Sequence, residues 1–385
     1  MNRILRWALF LLIISFMACE ERKVTVIPSV FRWRNGYGLA GEEHQAMERN
    51  GVQRVYFKLL DIDWNPANGA HPVSSVYVPY EWRDYSREAG PWTDKVEFVP
   101  CIYITNTTFE KLDATGTEEL VHNLLRKLRM ECPVKLHGVL LDCDWTPSTK
   151  DRFFQLTRSM NDSLRVPLIT TIRLHQYADP GKTGVPPADR GMLMVYNVGR
   201  LQDRGHVNSI FDEPSATPYF AHAKPYPLPL DVALPAFYWG AQFRKGRFQG
   251  IRQEEQVDEA LRRGLLHDPK DGLMQVIMED NENLPDLHLG DEVRMERITP
   301  EHITEAAQLA RHAVNCDTVA IAFFEVGAHS FQELDTMFVA GVHRSFGAVR
   351  GSLLPREHLS VPHEDVIDVP EIIAVDTVMV APAKP

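Results

Sequence analysis

The 385-residue chain is poor in cysteine: it has five, and no two of them are spaced as Cys-x-x-Cys. No histidine stands at ligand spacing beside Cys101, Cys132, Cys143 or Cys316, which argues against a structural zinc site. Three of these four residues lie within or against apolar runs, where a free cysteine behaves as a small buried hydrophobe. We therefore expect no metal, no cofactor and no obligatory disulfide.

The chain also lacks any concentration of basic charge. Its 41 Lys and Arg are scattered and are outnumbered by 52 Asp and Glu, so the net charge is −11. The basic stripe typical of nucleic-acid-binding proteins is missing. No glycine-rich strand-to-helix turn of the dinucleotide or P-loop kind occurs either. These absences argue against a nucleic-acid partner and remove the usual sign of an open, doubly wound nucleotide-binding sheet, the structural alternative to the fold described below.

The N-terminal apolar run is too short to span a membrane. Residues 7–18 form a run of 12 residues, whereas a transmembrane helix needs about 20. Arg3 and Arg6 precede the run, and the small residue Ala18 ends it. This layout predicts a cleaved signal peptide over residues 1–18.

The Ala18-Cys19 pair resembles the lipobox of bacterial lipoproteins, in which the cysteine becomes the first mature residue and carries a diacylglycerol. The resemblance implies lipidation at Cys19, a linker over residues 19–23, and attachment to the bacterial outer membrane on its periplasmic or its cell-surface face. Phe16 and Met17 stand where that motif more often has Leu and small residues. A plain secretory signal with a free Cys19 is the alternative.

From residue 24 onward, short β-rich runs alternate with longer amphipathic stretches. This alternation is typical of parallel sheets with crossover helices. Helix candidates occupy residues 42–50, 117–130, 148–163 and 299–315. The eight strand candidates are residues 24–31, 54–60, 97–103, 138–142, 168–172, 192–196, 232–237 and 318–324.

Eight such strands predict an α/β fold, a closed (β/α)8 barrel over residues 24–346. Residues 251–298 form a small insertion after the seventh strand, with an acidic loop. Residues 347–385 form a C-terminal tail rich in Pro and Val.

The residues that follow each strand are informative, because the active site of such a barrel gathers at the carboxyl ends of its strands. Here carboxylates, amides and aromatic residues follow one strand after another. Aromatic faces stack on sugar rings, and the polar groups hydrogen-bond sugar hydroxyls. The alternative is that the aromatic side chains close the barrel mouth and the carboxylates cap helices. The strand-end residues are Asp61, Asp63, Trp64, Tyr103, Asn106, Asp142, Asp144, Trp145, Arg173, His175, Gln176, Tyr196, Asn197, Tyr238, Trp239 and Glu325.

Three strand-end segments resemble family 18 glycoside hydrolases, the chitinases and endo-N-acetylglucosaminidases. Leu141-Asp142-Cys143-Asp144-Trp145 resembles the fourth-strand signature Asp-x-Asp-x-Glu of that family. Met194-Val195-Tyr196-Asn197 resembles its sixth-strand Met-x-Tyr-Asp, and residues 233–240 resemble its seventh-strand Gly-Leu-Pro-x-Tyr-Gly. The resemblance spans the barrel and implies a glycan-acting protein.

Two positions depart from the family pattern. The proton-donating Glu of the family is Thr146 here, and a hydroxyl cannot protonate a departing glycosidic oxygen. Asn197 stands where the family has Asp. In the family, the carboxylate two residues before the Glu orients the substrate's N-acetyl group, so Thr146 removes half of the implied mechanism.

These departures leave two glycan hypotheses. In the first, the protein is a glycosidase with rearranged catalytic carboxylates, drawn from Asp142, Asp144 and Glu325 or from the Asp61 and Asp63 pair. Asp144 with Glu325 is the preferred pair, since two carboxyls about 5 to 10 Å apart suffice for hydrolysis. Arg173 keeps Asp142 or Asp144 ionised, or binds an acidic sugar.

In the second hypothesis, the barrel binds a polysaccharide or glycan without cleaving it. A third possibility is a structural or partner-binding barrel tethered to the membrane. The predicted substrate-binding residues are Asp63, Trp64, Trp145, Arg173, Gln176, Tyr196, Asn197, Tyr238 and Trp239.

Overall fold

The computed structural model describes residues 22–34, 41–75, 96–132, 135–205, 208–221, 223–268 and 273–349. The predicted signal peptide, Cys19 and nearly all of the predicted tail over residues 347–385 lie outside the described residues. Within the described ranges, no helix is both long enough and apolar enough to cross a membrane.

The strands are numbered in chain order. They are β1 (Arg22–Lys23), β2 (Thr25–Arg32), β3 (Arg54–Asn65), β4 (Gly69–Ser75), β5 (Glu97–Ile104), β6 (Val139–Asp142), β7 (Leu168–Arg173), β8 (Arg190–Met194), β9 (Leu230–Pro235), β10 (Tyr238–Arg244), β11 (Arg247–Gln253), β12 (Leu266–His267), β13 (Leu273–Val276), β14 (Glu292–Arg297), β15 (Thr318–Phe324) and β16 (Ala348–Val349).

The helices are numbered in the same way. They are α1 (Gly41–Arg49), α2 (Asn106–Lys111), α3 (Ala114–Glu131), α4 (Lys150–Ser163), α5 (Leu174–Ala178), α6 (Pro180–Thr183), α7 (Glu213–Ala221), α8 (Glu254–Arg262), α9 (Pro300–Arg311), α10 (His329–Gln332) and α11 (Thr336–Gly347).

Eight of the strands close into a parallel ring. The order around the ring is β2, β3, β5, β6, β7, β8, β9 and β15, and β15 pairs again with β2. Helices lie between successive barrel strands along the chain, except between β3 and β5, where the described residues contain only strand β4. The predicted (β/α)8 barrel is therefore confirmed.

Burial explains why the barrel strands have near-continuous apolar sequences. Every residue of β6 and of β9 is buried, as expected for parallel strands whose outer face is covered by helices. Outside the ring, α3 turns Leu120, Leu124 and Leu128 into the core, at the spacing of one helical face. The side chain of Asp113 caps this helix by accepting a hydrogen bond of 2.7 Å from Gly116 N.

The sixth barrel strand lies two residues earlier than predicted. It covers Arg190–Met194 rather than residues 192–196. Asn197 has a φ of 59° and donates its backbone N–H to Ile210 O at 2.7 Å. The chain therefore leaves the sheet at a point where its sequence is still apolar and still resembles a strand.

The insertion after the seventh barrel strand is a five-stranded antiparallel sheet. Its strand order is β11, β10, β14, β13, β12, and it begins at Tyr238, ahead of the predicted residue 251. The apolar run of strand seven continues directly into β10, which hides this boundary in the sequence. A small second core includes Leu265, Val276, Leu287 and Val293.

Candidate functional site

The carboxyl ends of the barrel strands form a polar mouth, where sites of this fold lie. Tyr103 of β5 pairs in register with Asp61 of β3 and with Asp142 of β6. These three residues therefore lie side by side on neighbouring strands. Strands in a sheet are spaced by about 4.8 Å, so the two carboxylates flank the tyrosine at the same level of the barrel.

Asp142 and Asp144 share one arginine. Arg173, at the end of β7, is hydrogen-bonded through Nε to Asp144 Oδ1, and its Nη2 lies 3.6 Å from Asp142 Oδ1. Thr171 Oγ1 also donates to Asp142 Oδ1 at 2.7 Å. The fourth and fifth predicted strands thus bring these predicted site residues together, as an ion-paired cluster.

Burial governs the protonation of this cluster. The side chain of Asp142 is 6% exposed, and burial raises its pKa even though Arg173 acts in the opposite direction. The neighbouring charge of Asp144 also raises the pKa of Asp142, because two close carboxylates repel each other. Of the two roles considered for Arg173, the geometry matches the ion-pairing one.

A buried lysine forms a second ion pair in the mouth. Lys58 Nζ lies 2.5 Å from Asp61 Oδ2 and 5.7 Å from the centre of the Trp33 ring. Burial raises the pKa of Asp61, although Lys58 lowers it. Asp61 Oδ1 is buried and has no hydrogen-bond partner among the described residues.

Glu325 follows β15 and forms a third ion pair. Its Oε2 accepts a hydrogen bond of 2.8 Å from Trp33 N, and its Oε1 accepts one of 3.3 Å from Arg34 Nε. Burial raises the pKa of Glu325, with Arg34 opposing the effect. Arg34 also pairs with Glu255 of α8 at 2.8 Å, so this pair connects the barrel to the insertion.

The preferred catalytic pair, Asp144 with Glu325, is therefore divided between two ion pairs. Asp144 binds Arg173 and Glu325 binds Arg34, and no direct contact joins the two carboxylates in the described part of the chain. Each carboxylate already has a cation as its partner.

Aromatic rings surround the centre of the mouth. Phe324 lies 5.9 Å from Trp33, 5.5 Å from Tyr196 and 5.4 Å from Phe237 between ring centroids. Trp33 and Phe324 are half-buried, so each keeps part of its surface open. These two rings contribute accessible apolar surface to the mouth.

Two predicted sugar-binding residues, which follow the fourth and fifth barrel strands, are enclosed in the structure. Trp145 is 1% exposed, stacks on Phe153 at 5.0 Å, and donates Nε1 to Thr183 O at 3.0 Å. Gln176 is fully buried and bonds to Arg173 N and Trp145 O. Both side chains are hydrogen-bonded to the segment around the short helices after β7. Neither has exposed surface for a ligand.

The aromatic pair after the seventh strand is also enclosed, contrary to prediction. Tyr238 donates its hydroxyl to Asp258 and packs under Arg297, whose guanidinium carbon is 4.1 Å from the ring centre. Trp239 donates Nε1 to Glu296 Oε2 at 2.9 Å. Because β10 turns into the insertion sheet, both side chains bind residues of the insertion, and both are buried.

Tyr196 and Asn197 do lie at the mouth. Tyr196 is 4% exposed, its ring packs on Phe324, and its hydroxyl has no hydrogen-bond partner among the described residues. Burial raises the pKa of Tyr196, and Arg173, Asp142 and Asp144 are the charged groups close enough to influence it. The amide oxygen of Asn197 is also buried and unpartnered in the described part.

Asp63 and Trp64 end β3 beside the hairpin to β4. Asp63 Oδ1 accepts hydrogen bonds from Trp64 N at 2.8 Å and from Thr105 Oγ1 at 2.7 Å. Trp64 is half-buried and lies opposite Ala70 in the hairpin. Asp63 therefore orders the start of the segment after β5, while part of the Trp64 ring stays open.

Thr146 stands in a turn ahead of α4. Its backbone N–H donates to Thr149 Oγ1 at 2.9 Å, and its hydroxyl lies 2.8 Å from Ser148 Oγ. Thr149 in turn donates to Asn106 Oδ1 at 2.6 Å. The position that carries the acid in the resembled family is here part of a hydroxyl-rich turn.

Sequence reasoning missed four residues of the mouth: Trp33, Arg34, Lys58 and Phe324. Trp33 and Arg34 directly follow the first barrel strand, so reading that strand's end in the same way as the others would have found them. Lys58 was detectable as a lone charge inside a buried strand, since lysine is rarely buried without a partner.

The closed ring of eight parallel strands defines the class of this protein as a (β/α)8 barrel. No family model and no curated protein sequence matches the chain. Among solved structures, it is similar to the Bacillus cereus spore cortex-lytic enzyme SleL, with a TM-score of 0.47 and 13% identity, over 82% of this chain and 74% of SleL.

A chitinase from Chromobacterium violaceum is similar with a TM-score of 0.47 and 13% identity, over 84% of this chain and 98% of the chitinase. A GH113 β-1,4-mannanase is similar with a TM-score of 0.43 and 11% identity, over 85% of this chain and all of the mannanase. At these identities the likeness concerns the fold alone.

Proposed function

We propose that this protein is a lipid-anchored receptor that binds a polysaccharide or glycan at the barrel mouth without cleaving it. The observation that carries the proposal is at Thr146. The resembled family has its proton-donating Glu at this position, whereas the hydroxyl of Thr146 is hydrogen-bonded within its own turn. Asp144 and Glu325 are each held by an arginine.

The accessible groups of the mouth are suited to sugar binding. Trp33 and Phe324 offer partly open aromatic faces, on which the apolar face of a sugar ring stacks. Asp144 and Arg173 lie 29 positions apart in sequence but form one polar unit at the same mouth, with 13% of each side chain exposed. Such a unit offers both donors and acceptors to sugar hydroxyls.

A glycosidase is the second candidate, and one observation favours it. Burial raises the pKa of Glu325, and a carboxyl with a raised pKa is the usual general acid in glycoside hydrolysis. In that case Glu325 protonates the leaving oxygen and Asp144, held by Arg173, acts as the second carboxylate. Both oxygens of Glu325 already accept hydrogen bonds, which is why we prefer binding without cleavage.

The placement of the protein rests on its N-terminal sequence. Arg3 and Arg6, the short apolar run and Ala18-Cys19 support export followed by lipidation of Cys19. We propose attachment to the bacterial outer membrane, on its periplasmic or its cell-surface face, with the glycan as the partner of the barrel.

The test is a glycan-array screen combined with a reducing-sugar assay, performed on the full chain in detergent. Asp144→Asn is the site variant, and Asp162→Asn, at an exposed position of α4, is the matched control. We expect binding without sugar release, weakened about tenfold by Asp144→Asn, because a hydrogen bond to a charged group contributes about 1.5 to 3 kcal/mol.

Two results would contradict this proposal. Sugar release that Asp144→Asn abolishes establishes the glycosidase instead. Failure of every glycan to bind removes both candidates and leaves the structural or partner-binding barrel.

A further inference from the structure

The chain enters the barrel at the end opposite the mouth. Strand β1 pairs in antiparallel register with β16, which directly follows α11. Two residues after β1, Thr25 N donates a hydrogen bond of 2.8 Å to Asp317 O, and Asp317 immediately precedes β15. Both contacts lie where barrel strands begin, so the N-terminal segment joins the barrel at the amino ends of its strands.

Cys19 is close to this point in the sequence. Three peptide bonds separate it from Arg22, the first residue of β1. Whatever its conformation, a chain of three residues spans at most about 11 Å. A lipid carried by Cys19 is therefore tied within about 11 Å of β1, at the amino ends of the barrel strands.

The mouth lies at the other end of the same strands. Strand β2 has eight residues and leads from Thr25 to Trp33 and Arg34 at the mouth. Barrel strands rise about 3.3 Å per residue and tilt by about 36°, so these eight residues cover about 20 Å along the barrel axis. The insertion sheet also follows the carboxyl end of a strand, β9. It therefore belongs to the mouth side of the barrel.

The surface at the amino ends of the strands is polar. We call it the amino-end face and define it by exposed residues of the described chain that shortly precede barrel strands. Three of these residues are basic and two are acidic, and unpaired polar groups are costly to place in hydrocarbon. The face is therefore suited to contact the polar headgroups of a lipid surface. Its residues are Gln53, Lys135, Arg165, Asp189, Lys224 and Asp317.

We infer that the amino-end face is the membrane-contact surface of the protein, and that the mouth opens away from the membrane that holds the lipid. The inference rests on the proposed lipidation of Cys19 and adds the direction in which the proposed glycan site faces. The headgroup layer of that membrane is the partner of the amino-end face. Glycans then reach the mouth from the aqueous side, about 20 Å beyond the headgroups.

The order of strands in the ring allows a flat contact to be told from a tilted one. Strand β15 neighbours β2, beside the attachment point, whereas β6 is four strands away from β15 in either direction around the ring. Asp317 before β15 and Lys135 before β6 therefore lie at opposite edges of the amino-end face. A barrel lying on its side would bring only the edge at Asp317 to the membrane.

The experiment places a fluorophore on one introduced cysteine at a time, in the full lipidated chain. The variants are Asp317→Cys and Lys135→Cys on the amino-end face, and Asn68→Cys at the exposed tip of the hairpin between β3 and β4. All three carry Cys316→Ala, because the other cysteines of the described chain are buried. Each is reconstituted into vesicles of phosphatidylethanolamine and phosphatidylglycerol, some of whose headgroups carry a nitroxide quencher.

We expect both amino-end probes to be quenched at least about threefold more strongly than the matched probe at Asn68→Cys, because about 20 Å of barrel separates the two levels. Insertion of about 20 Gly and Ser residues ahead of Arg22 gives a tether that spans about 25 Å on average. This longer tether should weaken the quenching of both amino-end probes, since it no longer holds the barrel against the headgroups.

The outcomes separate the inference from the lipidation beneath it. Quenching at Asp317→Cys without quenching at Lys135→Cys means that the barrel lies on its side. Quenching at Asn68→Cys that equals or exceeds the other two means that the mouth faces the membrane. Either result overturns the inference and leaves lipid anchoring intact, whereas a chain that carries no lipid and does not attach to the vesicles overturns both.

Discussion

Three carboxylates at the mouth are each held by a lysine or an arginine. Lys58 holds Asp61, Arg173 holds Asp144, and Arg34 holds Glu325. Breaking a buried pair by removing one partner is destabilising by about 3 to 5 kcal/mol, because it leaves a charge uncompensated. Pairing therefore makes these carboxylates poor candidates for free acids and good candidates for fixed hydrogen-bonding groups.

Thr146 is the residue on which the proposed absence of hydrolysis most directly depends. If the mouth otherwise keeps the arrangement that the family 18 resemblance implies, Thr146→Glu supplies the missing proton donor beside Asp144. We expect measurable release of reducing sugar from N-acetylglucosamine oligomers. Thr146→Gln, which has the same shape but no proton to give, should release none. Equal inactivity of the two variants would mean that the rest of the site no longer supports that chemistry.

Part of the site could be predicted residue by residue from the sequence. Asp142, Asp144 and Arg173 were predicted at strand ends and do lie together. Trp145, Gln176, Tyr238 and Trp239 follow strands equally closely but point into the protein. Strand ends determine the level of a residue along the barrel, whereas the direction of its side chain depends on where the next segment goes.

Among the elements, the insertion sheet is tied to the segment after β8 by one buried carboxylate. Glu296 of β14 is 1% exposed. It accepts hydrogen bonds from Arg294 Nε at 2.7 Å, from Ser209 N at 2.7 Å and from Trp239 Nε1 at 2.9 Å. Ser209 O in turn accepts from Gly199 N at 3.1 Å. The insertion therefore supports the segment that starts with Asn197 at the mouth.

Glu296→Gln tests this connection. It removes the charge that compensates Arg294, so we expect a loss of about 3 to 5 kcal/mol in the free energy of unfolding. Urea denaturation measures the loss, with the exposed Glu333→Gln as the matched control, for which the change should stay within about 0.5 kcal/mol. A loss no larger than that of the control would show that the network does not hold the insertion in place.

A second carboxylate joins the insertion to the segment after β15. Glu254 begins α8, is 7% exposed, and accepts a hydrogen bond of 3.2 Å from Ser330 N. Burial raises its pKa from 4.5 to about 7. A carboxyl whose pKa is higher in the folded than in the unfolded state favours folding at low pH. The stability that it contributes is present below about pH 4.5 and is lost as the pH rises through about 7.

Glu254→Gln should remove this dependence. Because one pKa unit corresponds to about 1.4 kcal/mol, the variant should gain up to about 3 kcal/mol over the wild type at pH 8 and nothing at pH 4. Unfolding free energies from urea titrations at the two pH values give the comparison. A gain that is the same at both pH values would contradict the assignment of the raised pKa to Glu254.

The order of elements was the most predictable feature of the molecule. Eight apolar runs separated by amphipathic stretches determine a closed barrel, because buried parallel strands need apolar residues along their whole length. The five-stranded insertion sheet was not foreseen, since β10 continues the apolar sequence of the preceding strand. The antiparallel pairing of β10 with β14 joins segments about fifty residues apart, and local sequence gives no signal for it.

At the scale of the whole molecule, we propose that a lipid at Cys19 attaches the barrel to the membrane. Cys19→Ala should abolish incorporation of labelled fatty acid and move the chain from the membrane fraction to the soluble fraction. Cys316→Ala, at a position within the barrel domain, is the matched control and should leave both unchanged. Persistence of the Cys19→Ala chain in the membrane fraction would contradict lipid anchoring.

The central claim is that the glycan binds at the carboxyl-end mouth of the barrel. The most direct measurement is a crystal structure of the protein soaked with the glycan that binds best in the array. We predict a sugar ring against Trp33 or Phe324, with its polar groups at Asp144 and Arg173. A sugar bound elsewhere, on the insertion sheet or the outer helices, with the mouth left empty, would contradict it.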